Sequence, residues 1–108
     1  MLEFLVQQKG IQIDQEDEEK ATAVFYAVSK KNLEMVKFLE AHGANLNHRE
    51  MLLRSPLYFA ASNGSNHIIR YLLDRGCDVN VPSNLGRTAL GKACWNGEVE
   101  VVKLLLDT

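Results

Sequence analysis

The sequence has little that would support chemistry at a metal or a reactive side chain. Its 108 residues include only two cysteines, Cys77 and Cys94. Two thiols make neither a disulfide framework nor a four-thiolate zinc site. No C-x-x-C, H-E-x-x-H, phosphate-binding loop or dinucleotide fingerprint occurs. His42, His48 and His67 are not at ligand spacing with one another or with the cysteines. No apolar run approaches the ~18 residues of a membrane span. The opening MLEFLVQQKG is short for a signal peptide and lacks the basic start and small-residue cleavage site. Lys and Arg are scattered and the net charge is −2. No basic stripe offers nucleic acid an electrostatic footprint. The expectation is a protein with no metal, no cofactor, no nucleic acid and no membrane, in a reducing intracellular compartment, cytoplasmic or nuclear.

What is present is a repeat. Three lines align without gaps, starting at Thr22, Ser55 and Thr88, a constant 33 residues apart. Gly10, Gly43 and Gly76 keep the same spacing, as do Asp14, Asn47 and Asn80. Within each line a hydroxyl residue stands where it can cap a short helix. Pro56 follows Ser55 at the one helical position where a missing N–H costs nothing. Small pairs come next, Ala27–Val28, Ala60–Ala61 and Ala93–Cys94, and let neighbouring helices approach closely. After a polar break, Met35, Val36, Phe38 and Leu39 have the spacing of a second helix, as do Ile68, Ile69, Tyr71, Leu72 and Leu73. Gly43 and Gly76 sit where a left-handed residue ends that helix.

These features resemble ankyrin repeats. The matching residues are Ser55-Pro56-Leu57, Ala60-Ala61, Asn63-Gly64 and Gly76-Cys77-Asp78-Val79-Asn80. The resemblance covers essentially the whole chain. It implies an all-α solenoid of stacked helix-turn-helix units, with β-turn fingers projecting nearly at right angles. One domain then spans 1–108: a partial repeat and acidic finger over 1–21, repeats over 22–54 and 55–87, and a truncated repeat over 88–108. Residues 1–9 read as a second helix alone. Neither end has the polar cap that an array needs for solubility, so Leu104, Leu105 and Leu106 are expected to be partly exposed. A piece of a longer array, or end-to-end self-association, is the expectation.

The departures from the family pattern carry expectations too. The family's helix-start histidine is replaced by Phe25, Tyr58 and Gly91. The finger-turn glycine survives only as Gly86, with Lys20 and Leu53 at the equivalent places. A left-handed residue there would cost on the order of 1–2 kcal/mol. The first two fingers are therefore expected to be irregular. Cys77 and Cys94 stand where the family has small alanines, and are expected to be buried and inert. Leu72, Asp78, Val79 and Asn80 resemble a context in which ankyrin asparagines are hydroxylated, but loop stabilisation is the favoured role of Asn80.

Partners of the family bind the concave surface made by variable positions on inner helices and fingers. Carried over position by position, the partner-binding set is Tyr26, Met51, Leu52, Arg54, Phe59, Ser62, Asn63, Leu85, Arg87, Trp95 and Asn96. Fingers are normally polar, so Met51, Leu52, Leu53 and Leu85 need a reason. Aromatic residues, Met and Arg are enriched in interface cores and hot spots. Trp95 is the expected anchor; the alternative is that the rings pack inside and Met51–Leu53 covers a neighbouring repeat. The acidic run over residues 14–19 reads as a solvated loop, and less favourably as a surface that steers a basic partner. No residue constellation points to catalysis. The expected function is a protein–protein interaction module, with two alternatives: the substrate-recruiting part of a larger enzyme or ubiquitin-ligase adaptor, or an architectural self-assembling segment.

Overall fold

The computed structural model describes residues 13–107. Residues 1–12, with the expected partial first repeat, and Thr108 lie outside them. Six helices follow in order: α1 (Ala23–Ser29), α2 (Leu33–Ala41), α3 (Pro56–Asn63), α4 (Asn66–Asp74), α5 (Ala89–Asn96) and α6 (Val99–Leu106). No strand occurs among the described residues. Each odd helix turns back into the even helix that follows it. α3 packs between α1 and α5, and α4 packs between α2 and α6. The result is three helix-turn-helix layers in line.

Helices of this length are marginal alone, so stacking must hold them. The apolar stripe of each helix supplies the stack: Val24 and Val28, Val36 and Leu39, Leu57, Ile68, Ile69 and Leu72, and Val101 are all buried. Each such side chain contributes about 1.5–3 kcal/mol by leaving water. Ala60, Ala61 and Ala93 are fully enclosed, and their small size lets α3 approach α1 and α5. Leu105 is buried, Leu104 half-buried and Leu106 exposed.

The helix starts only partly follow the sequence expectation. The Ser55 hydroxyl accepts the Tyr58 amide at 3.2 Å, and the Thr88 hydroxyl accepts the Gly91 amide at 3.2 Å. Thr22 does not cap α1. The Phe25 amide donates instead to the Thr22 carbonyl, 3.0 Å away, and the buried Thr22 hydroxyl is left without a partner. The two helices of a layer are joined through a left-handed residue, Gly64 at φ 70° and Gly97 at φ 71°. In the first layer Lys31 takes that conformation, at φ 56°. Gly43 and Gly76 follow the second helices at φ 94° and 85°, as expected.

Cys94 corrects the expectation of two buried thiols. Cys77 is buried, and desolvation pushes its thiol up to about 11. Cys94 is exposed. Its counterparts Val28 and Ala61 are buried because α1 and α3 each carry a following layer; α5 carries none among the described residues.

Candidate concave binding surface

The fingers are regular, which overturns the expectation for the first two. In each, the amide of the first residue donates to the carbonyl of the fifth: Asp17 to Ala21 at 2.9 Å, Glu50 to Arg54 at 3.1 Å and Ser83 to Arg87 at 2.8 Å. The fourth residue is left-handed in all three: Lys20 and Leu53 at φ 61°, Gly86 at φ 78°. Lys20 and Leu53 thus accept the strain that glycine avoids.

A side-chain oxygen offsets it. Asp17 accepts the amides of Glu19 and Ala21 at 2.8 and 2.9 Å. Glu50 does the same for Leu52 and Arg54 at 2.9 Å each. Ser83 repeats the pattern with Leu85 and Arg87 at 3.3 Å each. These three oxygens recur at the repeat period, a signal the sequence carries in three different residue types. The fingers also tie to one another. The Met51 amide donates to the Glu19 carbonyl and the Asn84 amide to the Leu52 carbonyl, both at 2.8 Å.

The repeat period places equivalent side chains in rows across the face formed by the inner helices and the fingers. Glu19, Leu52 and Leu85 form one finger row; Ala21, Arg54 and Arg87 form another. Tyr26, Phe59 and Lys92 form a helix row, with Ser29, Ser62 and Trp95 one turn further along. A shallow pocket of about 150 Å³ marks the first unit of the groove; its lining includes Asp17, Glu19, Tyr26, Glu50, Arg54 and Phe59. A larger open hollow of about 380 Å³ lies at the interhelix turns, lined by Lys31, Leu33, Gly64, Ser65, Asn66, His67 and Ile68. It is lined by no finger residue and gathers none of the expected site residues.

The family model described as ankyrin repeats (3 copies) matches residues 50–108, and a second, ankyrin repeats (many copies), matches residues 25–73. The chain belongs to the ankyrin-repeat family. Among curated proteins, none matches it. Ankyrin repeats are in general protein-interaction modules.

Within this ankyrin stack the expected site residues divide into two groups. Trp95 is 86% exposed, Leu85 72%, Tyr26 56%, Met51 52% and Leu52 40%. The rings do not all pack inside. Phe59 is the intermediate case: it is half-buried, edge-on to Phe25 at 5.3 Å, with the Arg54 guanidinium 4.6 Å above its ring. Arg87 is exposed and Ser62 is half-buried.

The second group is committed to bonds within the chain. The Asn63 side-chain amide donates to the Val28 carbonyl, and the Asn96 amide donates to the Ser62 carbonyl, each at 3.0 Å. Both amides join one layer to the layer before it. Arg54 is committed as well, to Glu50 at 3.0 Å through Nη2 and 3.2 Å through Nε. Burial pushes the Glu50 carboxyl upward, but bonds from Arg54 and the Leu52 amide outweigh it and hold the group below its ordinary range. The Arg54 guanidinium is raised in turn by Glu50.

The acidic run over residues 14–19 is more structured than a solvated loop. Asp14 accepts the Asn45 amide at 2.9 Å, and Glu16 pairs with the His48 ring at 2.8 Å. Asp17 closes the first finger and also accepts the Tyr26 hydroxyl, which lowers its carboxyl and raises the phenol. On the outer helices, Glu40 accepts from Tyr71 and from Arg75, so α2 and α4 are stapled at 2.8 Å by an ion pair. Among the described residues no group of three or more His, Cys, Asp and Glu could hold a metal ion. No helix there is long and apolar enough to cross a membrane.

Proposed function

We propose that the concave face formed by α1, α3, α5 and the fingers holds a segment of another protein, inside the cell, by rigid presentation without turnover or cofactor. The observation that supports this reading is Trp95, 86% exposed on the inner helix α5, in the same repeat as the exposed finger residue Leu85. Large apolar side chains left in water on a preformed surface mark contact sites. Trp is the residue most concentrated in binding hot spots. Regular, mutually bonded fingers reduce the ordering cost of association.

Paired lysate captures test this, using the wild-type chain and a Leu52→Asp, Leu85→Asp, Trp95→Ala variant. All three positions are exposed, so circular dichroism is expected to show both chains folded. Proteins held by the wild type and lost by the variant support the concave face. Identical captures count against it. Recruitment of a substrate for a larger enzyme or a ubiquitin ligase would be the same act of binding, placed in a longer protein.

A second reading has its own observation. Cys94 on α5 and Val99 and Leu106 on α6 leave the last described layer with exposed apolar surface, and Leu106 is 65% exposed. Self-association through that face is the corresponding proposal. A mass that stays monomeric across a wide concentration range removes it.

A further inference from the structure

We propose that the segment held in the concave face is extended and dipolar: basic residues over the first finger, apolar residues over the second, acidic residues beside the third. The inference rests on the reading of that face as the binding surface and adds the chemistry of its occupant.

The argument starts from which charges are already used. Asp17 is bonded to finger amides and Tyr26, and Glu50 is paired with Arg54. Those groups have little to offer a partner. Glu18 and Glu19, both exposed, have carboxylates in no hydrogen bond or ion pair among the described residues. At the other end, Arg87 and Lys92 also take part in no ion pair there, and Arg87 is exposed. Between them lies Leu52 on the second finger, and Leu85 stands on the third beside Arg87. Lys20 of the first finger is exposed and in no ion pair too, and offsets one of the two glutamates; on the inner helices Lys30 matches Lys92. Along the finger row the uncommitted charge therefore runs from net negative at the first finger, across an apolar second finger, to positive at Arg87.

The spacing suits an extended peptide. Packed helices lie about 8–10 Å apart, so two layers span roughly 20 Å. An extended chain covers that in about six residues at ~3.3–3.6 Å each. The two charged ends are separated by more than the ~8 Å screening length at physiological salt, so each acts on its own part of the peptide. Apolar contact supplies affinity, and the charges set orientation and association rate. A peptide bound the other way round would bring like charges together.

The test is a selection of random twelve-residue peptides, displayed on phage, against the full 108-residue chain. Enriched peptides are then made with a fluorescent label and titrated by anisotropy at low and moderate salt. Three variants, each shown to be folded, are compared: Glu18→Lys with Glu19→Lys, Arg87→Glu with Lys92→Glu, and Leu52→Asp with Leu85→Asp. The expected result is enrichment of Lys or Arg near one end and Asp or Glu near the other. Each charge-reversed variant then weakens binding by about tenfold or more at low salt, and a peptide reversed at the matching end restores it. Peptides that fail only on the Leu52→Asp, Leu85→Asp variant, with no response to charge reversal, overturn the dipolar occupant and leave the groove reading standing. Peptides indifferent to all three variants, or no enrichment at all, overturn both.

Discussion

The side-chain amide of Asn63 reaches back 3.0 Å to the carbonyl oxygen of Val28, across the joint between two layers. Val28 is fully buried, so water cannot replace that donor readily. Asn63→Ala is expected to cost about 1–2 kcal/mol, the range for a buried polar group that loses its partner. Asn96→Ala removes the matching bond to Ser62, but Asn96 is exposed, and about 0.5–1 kcal/mol is expected. Urea unfolding of the two variants measures both. Equal, negligible losses would show that the asparagines do not join the layers.

Three residues hold left-handed backbone without being glycine: Lys20, Lys31 and Leu53. Their counterparts Gly86, Gly64 and Gly97 supply the same conformation without strain. Replacing any of the three by glycine relieves ~1–2 kcal/mol and gives back part of it in chain entropy, leaving a gain of about 0.5–1 kcal/mol. Thermal unfolding checks this. A lower midpoint for Lys31→Gly would mean that its side chain contributes more than the backbone strain costs.

Thr22 and its counterparts should respond in opposite directions. The Thr22 hydroxyl is buried without a partner, so Thr22→Val is expected to be neutral or stabilising by up to about 1 kcal/mol. Ser55→Ala and Thr88→Ala remove real caps and are expected to cost about 1 kcal/mol each. A loss on Thr22→Val as large as the loss on Ser55→Ala would contradict the orphaned hydroxyl.

Acid sensitivity follows from Glu50. Its carboxyl is held below the ordinary value of about 4.3 in the folded chain, so its stabilisation is complete above that value. It is lost as pH falls through the lower, folded-state value. Glu40 acts in the same sense: burial raises it, and the bonds from Tyr71 and Arg75 outweigh that rise. Glu50→Gln keeps an oxygen for the Leu52 and Arg54 amides and removes the charge. It is expected to cost roughly 1–2 kcal/mol at pH 7 and to flatten the fall in stability below about pH 5. Parallel pH profiles for the variant and the wild type would assign the acid loss to other groups.

The layers were legible because the apolar spacing and capping residues recur every 33 residues, and short helices have one good way to bury such stripes. The regular fingers are hidden in the sequence because Lys20 and Leu53 replace the turn glycine. The compensating oxygens of Asp17, Glu50 and Ser83 have different chemistry from finger to finger, which hides a shared role. Asn63 and Asn96 were read as surface because polar residues on an inner helix look available. Only the stacked neighbour reveals the carbonyl each one reaches. Trp95 stood out for a physical reason: its counterparts are Ser29 and Ser62, so no core position requires a ring there.

The central claim is that partners touch the concave face. Site-specific photocrosslinking tests it most directly. A photoreactive benzoylphenylalanine is placed at Leu85 on the third finger, or at the exposed Arg70 on the outer helix α4, and each chain is irradiated in cell lysate. Covalent adducts from the Leu85 position, and none from Arg70, are the predicted result. Adducts from Arg70 alone, or equal adducts from both, would contradict the claim.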